Sequence, residues 1–374
     1  MLKTTDYGLR TTDSRLLMKK LLNKVDSEKL RGKSVRAFFL SLLFVTLPLA
    51  FIACPGNKTQ VGNNAPAVTP APVAQNQASP ASATFDGDRA FEQVRKQVEF
   101  GPRPAGSAEL ARTRDYIINE LKSYGLSVTT DEWMATTPVG ERRMVNVTAE
   151  ITGESADVIM LTSHYDTKLF KEFRFVGAND AGSSTGVLLE IARVLAANKQ
   201  KPRFTYWFTF FDGEEAFCAD WDDCHNPNPA NPAKPLPDNT YGSRRFVSQL
   251  IDKKEVKRVR AMILLDMVGY KNLEMPREGF SAAWLTGIIW QTAREIGDGA
   301  QFVNGSEDVD DDHTPFLQAG IDSVDLIQLN GYPYWHTAQD TLDQISAKSL
   351  KAVGETVVAS LPRIEERLAN KPKS

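Results

Sequence analysis

His164, Asp166, Asp180, Asp212, Glu214, Glu215, Asp266 and His336 are residues whose types and places could do chemistry. Most of them fall where an apolar run stops. DVIMLTS leads into His164-Tyr165-Asp166, FTFF into Asp212-Gly213-Glu214-Glu215, and AMILL into Asp266. Asp180 stands in GANDAG, just before a long amphipathic stretch, and SVDLIQL is followed shortly by Trp335-His336-Thr337. A single Asp after a strand is usually a turn former or helix cap. Here, however, three of the chain's four histidines lie in these segments or in the acidic DDDHTPF, beside several carboxylates. Coincidence is the poorer account. Nitrogen and oxygen donors without thiolate suit a catalytic Zn2+, which needs an open coordination position. The adjacent glutamates sharpen this. Neighbours after a strand point in different directions, so one can bind metal while the other faces a substrate as general base. The sequence contains no Walker loop or dinucleotide fingerprint.

For these residues to meet, the apolar runs must be neighbouring strands. Residues 157–163, 203–211, 261–267 and 323–329 read as buried strands, and 184–197 as a helix with Val187, Leu188, Ile191 and Leu195 on one face. A further helix over 107–124 ends at Gly125. Buried strands separated by helices predict an α/β domain whose central, mixed but mostly parallel twisted sheet is flanked by helices. Ligands of such sheets gather outside the carboxyl ends of the strands, so the chemistry-bearing residues are expected in one crevice.

The chain has 374 residues, 42% hydrophobic and 24% charged, an ordinary composition for a globular protein. Its 44 Lys and Arg stand against 47 Asp and Glu; the first 53 residues hold 10 and 4 of these, leaving 34 against 43 in the acidic remainder. That balance, with no basic stripe, argues against nucleic acid as a partner. Residues 37–53 form the only long apolar run, preceded by Arg31, Lys33 and Arg36, so residues 1–54 read as an N-terminal extension with a secretory signal. Phe51-Ile52-Ala53-Cys54 also resembles a bacterial lipobox, with Cys54 as the lipidated residue. An uncleaved anchor is the alternative, since about 17 apolar residues nearly span a bilayer. Each reading makes the rest extracytoplasmic: periplasmic, membrane-anchored or secreted, with membrane contact only through the N-terminal lipid or signal anchor. Residues 55–84, rich in Pro, Ala, Asn and Gln, read as a disordered tether, and 85–374 as the catalytic domain, a monomer on the simplest assumption. Cys218 and Cys224 lie close together in CADWDDC and are expected to form a disulfide in an oxidising compartment.

SHYDTK, FVGAND, FFDGEEAF, YGSRRF, LLDMVG, DDHTPF and WHT, in that order, resemble the glutaminyl-peptide cyclotransferases, which belong with the zinc aminopeptidases of metallopeptidase family 28. The resemblance begins at FGPRPAGS, covers the folded unit, and implies the zinc-exopeptidase fold. It implies zinc bound by Asp180, Glu215 and His336, with Glu214 as the acid–base residue. Asp266 and Asp311 become a hydrogen-bonded acidic pair that helps hold the substrate and the departing group, while Trp335 and Trp221 wall the pocket. His164 matches the position that binds a second metal, together with Asp266, in dizinc peptidases. One zinc is implied for a cyclotransferase, two for an aminopeptidase.

The implied substrate is the N-terminus of a peptide or protein. In the cyclotransferase reaction the α-amine of an N-terminal Gln attacks its own γ-carbonyl, polarised by zinc. Glu214 takes the amine proton and passes it to the leaving ammonia, and a pyroglutamyl peptide results. In the aminopeptidase alternative, Glu214 activates a water that attacks the first peptide bond. DGEEAF followed by YGSR, and DDHTPF, favour the cyclotransferase, whereas GANDAGSSTG and HTAQDTLDQI read more like the peptidases. A third reading, a catalytically silent peptide-binding lipoprotein, is disfavoured because Glu214 and every implied ligand are present. Bland roles are expected elsewhere: His225 exposed in a Pro- and Asn-rich loop, Trp133 and Trp284 in packing, His313 supporting the acidic pair, and Arg103 orienting the amino-terminal segment over the sheet.

Overall fold

Phe85 packs its ring under Gly354 of the last helix, where a Cβ would come within 2.1 Å of it, and Asp86 then caps the first helix by accepting from the N–H groups of Asp88 and Arg89. Such a cap is worth about 1 kcal/mol. A computed structural model describes residues 83–370, apart from 222, 229–232 and 234. The expected signal segment, and the tether but for its last two residues, lie outside the described residues.

Along the chain run α1 (Gly87–Phe100), α2 (Ala108–Ser123), β1 (Ser127–Thr137), β2 (Gly140–Ile151) and β3 (Ser155–His164). A π-helical turn (Ala178–Ser183) opens α3 (Ser184–Ala196), followed by β4 (Phe204–Phe211), the short pair β5 (His225–Asn226) and β6 (Leu236–Pro237), α4 (Tyr241–Asp252), and β7 (Val259–Leu265). Then come β8 (Met275–Glu278), α5 (Ala283–Ile296), β9 (Phe302–Glu307), α6 (His313–Gln318), β10 (Ser323–Leu326) and α7 (Ala347–Asn370). The expected strands and helices are present, with ends moved by at most three residues. Residues 107–124 shorten to α2 because Ser107 is its cap, accepting from Leu110 N, and Gly125 follows at φ +82°.

The main sheet has the order β1-β2-β4-β3-β7-β10. β1 and β2 pair antiparallel, as do β2 and β4, while β4, β3, β7 and β10 are mutually parallel, so the sheet is mixed as expected. Alternation along the strands divides the core. Ile159, Leu161, Ala261, Ile263 and Leu265 pack with α1, α3, α5 and α7, whereas Val158, Met160, Met262 and Leu264 pack on the other face with Val247 and Leu250 of α4 and Phe316 of α6. From β3 the chain crosses to β4 on one side and later to β7 on the other, so the sheet's switch point lies at the carboxyl end of β3.

Candidate metal centre and active site

β3, β4 and β7 are adjacent and parallel, so the segments that follow them must emerge side by side: His164 from β3, Asp212 to Glu215 from β4, Asp266 from β7. A buried carboxylate fixes the middle one. Asp166 accepts from the backbone N–H of Glu214 at 3.1 Å and of Glu215 at 3.3 Å, which sets the direction of both glutamates. Lys168 donates its backbone N–H to Glu215 Oε1 at 3.1 Å and its Nζ to the carbonyls of Ala216 and Cys218. Asp212 turns away from the crevice, accepting from Val145 N and Tyr165 Oη, and burial beside Asp166 pushes its carboxyl up to about 8. It is a brace for the β2–β4 corner, not a ligand.

Asp180 reaches the crevice from a strained turn. Its φ and ψ, −89° and 101°, are not helical, and Ala181 follows at φ 21°. Gly177 has φ +50°, and a Cβ there would lie 2.0 Å from the Asp180 carbonyl oxygen. Among the described residues five non-glycines have positive φ, and three of them, Ala181, Met267 and His336, adjoin or belong to the donor set. Strain of this kind persists only where surroundings over-determine it.

Two side chains do so here. Arg103, fully buried, donates to the carbonyls of Tyr165, Val176 and Gly177 at 3.2, 2.6 and 2.9 Å. It therefore clamps the turn that carries Asp180, where the sequence suggested only that it orients the amino-terminal segment. Burial lowers its guanidinium to about 10, against the charges of Asp340, Asp180 and Asp166. Arg103→Met should cost about 3 kcal/mol in urea unfolding, since three buried carbonyls lose their donor and the buried acids around them lose a cation; an unchanged midpoint would refute the clamp.

Asp340, not singled out in the sequence, is the second. Its carboxylate accepts from Asn179 N at 2.8 Å, Asp180 N at 3.1 Å and Tyr332 Oη at 2.6 Å. Burial and the charge of Asp180 lift it to about 7. Asp340→Ala is expected to weaken zinc affinity by about 10- to 100-fold, as loss of a group orienting a ligand does; chelator competition measures it, and unchanged affinity would remove Asp340 from that role.

The donors then converge in two groups that share Asp180: Asp180, Glu215 and His336, and His164, Asp180 and Asp266. His336 Nε2 lies 3.3 Å from Asp180 Oδ2 and 3.3 Å from both Glu215 oxygens. Donors about 2.0–2.1 Å from a tetrahedral zinc are about 3.3–3.4 Å apart, and the His336 separations match that spacing. His164 Nε2 lies 3.1 Å from Asp266 Oδ1 and 3.5 Å from Asp180 Oδ1, while its Nδ1 faces Asp166 at 3.6 Å and Glu214 at 3.7 Å. Both rings serve as counter-charges to buried carboxylates. For His336 burial disfavours the cation, but Glu215 and Asp180 outweigh it and lift the ring to about 9. Trp335 stacks on His336 at 4.1 Å, and Phe170 and Phe175 meet its ring edge-on.

Glu214 is not in either donor group. Burial drives its carboxyl well above the usual range; His164 opposes this, and Asp311 and Glu215 add to it. It faces a cavity of about 200 Å3 lined also by Asp180, Glu215, Trp221, Asp266, Asp311, Trp335 and His336. All the expected site residues except His164 line this cavity, and His164 sits behind it. A larger cavity of about 560 Å3, over β1, β2 and β4 beside α4, holds none of the strand-end donors.

The partnering of the acidic pair changes in detail. Asp266 pairs with His164, and the acid that Asp311 meets is Asp325, with its own carboxyl raised to about 7 by burial and the charge of Asp266. His313 stands behind Asp311 as a supporting partner, its charge favouring the Asp311 carboxylate. Its ring lies between Glu278, at 3.2 Å, and Asp325, at 3.6 Å. Asp325 was missed; its signal was a lone acid inside the apolar strand SVDLIQL. Trp133 and Trp284 pack on the main core, His225 is exposed, and Cys218 and Cys224 are disulfide-bonded.

Comparison with known proteins agrees with this geometry. The model of peptidase family M28 matches residues 146–361. Over 326 residues the chain is 27% identical to a glutaminyl-peptide cyclotransferase of Dictyostelium discoideum, covering 72% of this chain and 84% of the relative. Among solved structures it is similar to an Acidobacteriales bacterium glutaminyl cyclase, with a TM-score of 0.69 and 33% identity over 79% of this chain and all of that one. It is also similar to a leucine aminopeptidase precursor from Bacteroides thetaiotaomicron, with a TM-score of 0.66 and 29% identity over 75% and 97% of the two chains. The matched segment holds every donor of both groups, and the chain belongs to peptidase family M28.

Proposed function

We propose that this protein is a zinc-dependent glutaminyl-peptide cyclotransferase that converts the N-terminal Gln of peptides to pyroglutamate with release of ammonia. The observation that carries the reading is the pocket itself. It is large enough for one amino-terminal residue, and in it Glu214, its carboxyl raised well above the usual range by burial, shares the cavity with a second carboxyl, Asp311. The likeness to solved glutaminyl cyclases supports it.

Zinc, held by Asp180, Glu215 and His336, would supply the Lewis acidity that polarises the Gln γ-carbonyl. The chain's own residues supply the rest. Glu214, its backbone fixed by Asp166, takes a proton from the attacking α-amine and delivers it to the departing ammonia, and burial, by raising its carboxyl above the usual range, favours holding that proton in between. Asp311 and Asp266 offer acceptors to the amine and the leaving group. Trp335 and Trp221 exclude water from the side chain, and because nucleophile and electrophile belong to one residue, holding it in a ring-closing conformation is most of the task. One zinc per chain belongs to this reading.

The second reading, a zinc aminopeptidase, is favoured by one observation: His164, Asp180 and Asp266 form a second donor group beside the first. Mass spectrometry of a Gln-initiated peptide incubated with the purified protein separates the two. Loss of ammonia from an intact peptide supports cyclisation, and release of free glutamine supports hydrolysis and defeats the first reading. The disulfide, together with the apolar run at 37–53, supports an extracytoplasmic location, with Cys54 as the point of lipid attachment.

A further inference from the structure

The segment between β4 and α4 leaves the catalytic glutamates and makes a closed loop before it returns to the fold. Cys218 and Cys224 join across six positions, with Cα atoms 6.0 Å apart, and Trp221 stands between them. The Cys218 end is held firmly: its N–H donates to Asp238 Oδ2 at 2.9 Å, and its carbonyl accepts from Lys168 Nζ at 2.9 Å. Trp221 itself has two lighter ties. Its carbonyl accepts from Asn239 Nδ2 at 3.2 Å, and its indole N–H donates to Asp310 Oδ2 at 3.3 Å on the far rim of the pocket that both residues line. Asp310 is exposed and Trp221 only half-buried, so no core packing fixes the indole. A single hydrogen bond in contact with water contributes little order by itself.

We infer that the Cys218–Cys224 disulfide is a positioning device for the pocket wall: it closes residues 218–224 around Trp221 so that the indole stands against Asp310 before a peptide arrives. Cross-linking removes conformations that an open loop must give up on binding, so the gain appears in substrate capture. Glu214 and the three zinc donors lie outside the loop; Glu215 shares with it only Lys168, whose bond to the Cys218 backbone carbonyl does not need the disulfide, so the chemical step is untouched. The inference rests on the proposed function for its kinetic readout alone.

Replacing both cysteines, Cys218→Ser with Cys224→Ser, should raise KM for the peptide about three- to tenfold with kcat within about twofold. Trp221→Ala should raise KM at least as much, and removing the disulfide in that background should add nothing, since both changes act through one group. Unchanged KM in the serine variant, a fall in kcat instead, or losses that add in the combined variant would each overturn the inference. A second measurement needs neither folding of the serine variant nor turnover. The Trp221 contribution to fluorescence, taken as wild type minus Trp221→Phe, should become about twofold more quenchable by acrylamide when the native protein is treated with dithiothreitol, because the freed indole meets solvent. No change on reduction would overturn the inference. A protein that shows this change yet processes no peptide would overturn the proposed function and support the wall device.

Discussion

Glu214→Gln is expected to reduce turnover about a thousandfold, within the range of about 10²- to 10⁴-fold that a positioned acid–base group contributes, and to leave the zinc content unchanged. The amide keeps the size and the contact of the side chain but cannot accept the amine proton. No donor is lost, because Glu214 belongs to neither ligand group; its nearest charged partner is His164 Nδ1 at 3.7 Å. Its backbone is held by Asp166 in either form. Steady-state kinetics and metal analysis on one preparation check the two halves. A fully active variant would remove Glu214 from the acid–base role, and a zinc-free one would make it a ligand instead.

His336→Ala should fail differently. It removes the one nitrogen donor of the Asp180, Glu215 and His336 set and leaves two buried carboxylates facing each other, so zinc content should fall from about one per chain to under about a tenth at micromolar concentrations, with activity lost in parallel. His164→Ala is the informative contrast. On the one-zinc reading it keeps the metal, because His164 only neutralises Asp266 and Glu214 from behind. If the wild type instead binds two ions and His164→Ala loses one, the second donor group is a real site and the aminopeptidase reading gains.

Much of this site is legible in the residues themselves. Glu214, Glu215 and Asp266 stand out because a charged residue just past an apolar strand is unlike a charged residue on a solvated helix face, and Asp180 and His336 because they stand in short polar segments beside apolar runs. The fold class is legible for the same reason: β4, FTYWFTFF, is apolar on both faces and has to be covered by helices on both sides. Arg103 and Asp340 were harder. Each lies in an irregular segment with no periodicity, and each acts on backbone atoms far away in sequence, Arg103 on Gly177 and Asp340 on Asn179.

By itself the sequence determined which residue types stand at the strand ends, and hence metal chemistry with an adjacent base, because alternation and strand length are local properties. Only the tertiary structure decided how those residues are partnered: that Asp266 turns to His164 and not to Asp311, that Asp212 braces a corner, and that Asp325 meets His313 in the core. Such choices follow from β3 lying between β4 and β7, and from the turn at 177–183 being held by Arg103 and Asp340. Strand order and long-range hydrogen bonds set side-chain separations to tenths of an ångström, and no local pattern in the chain encodes them.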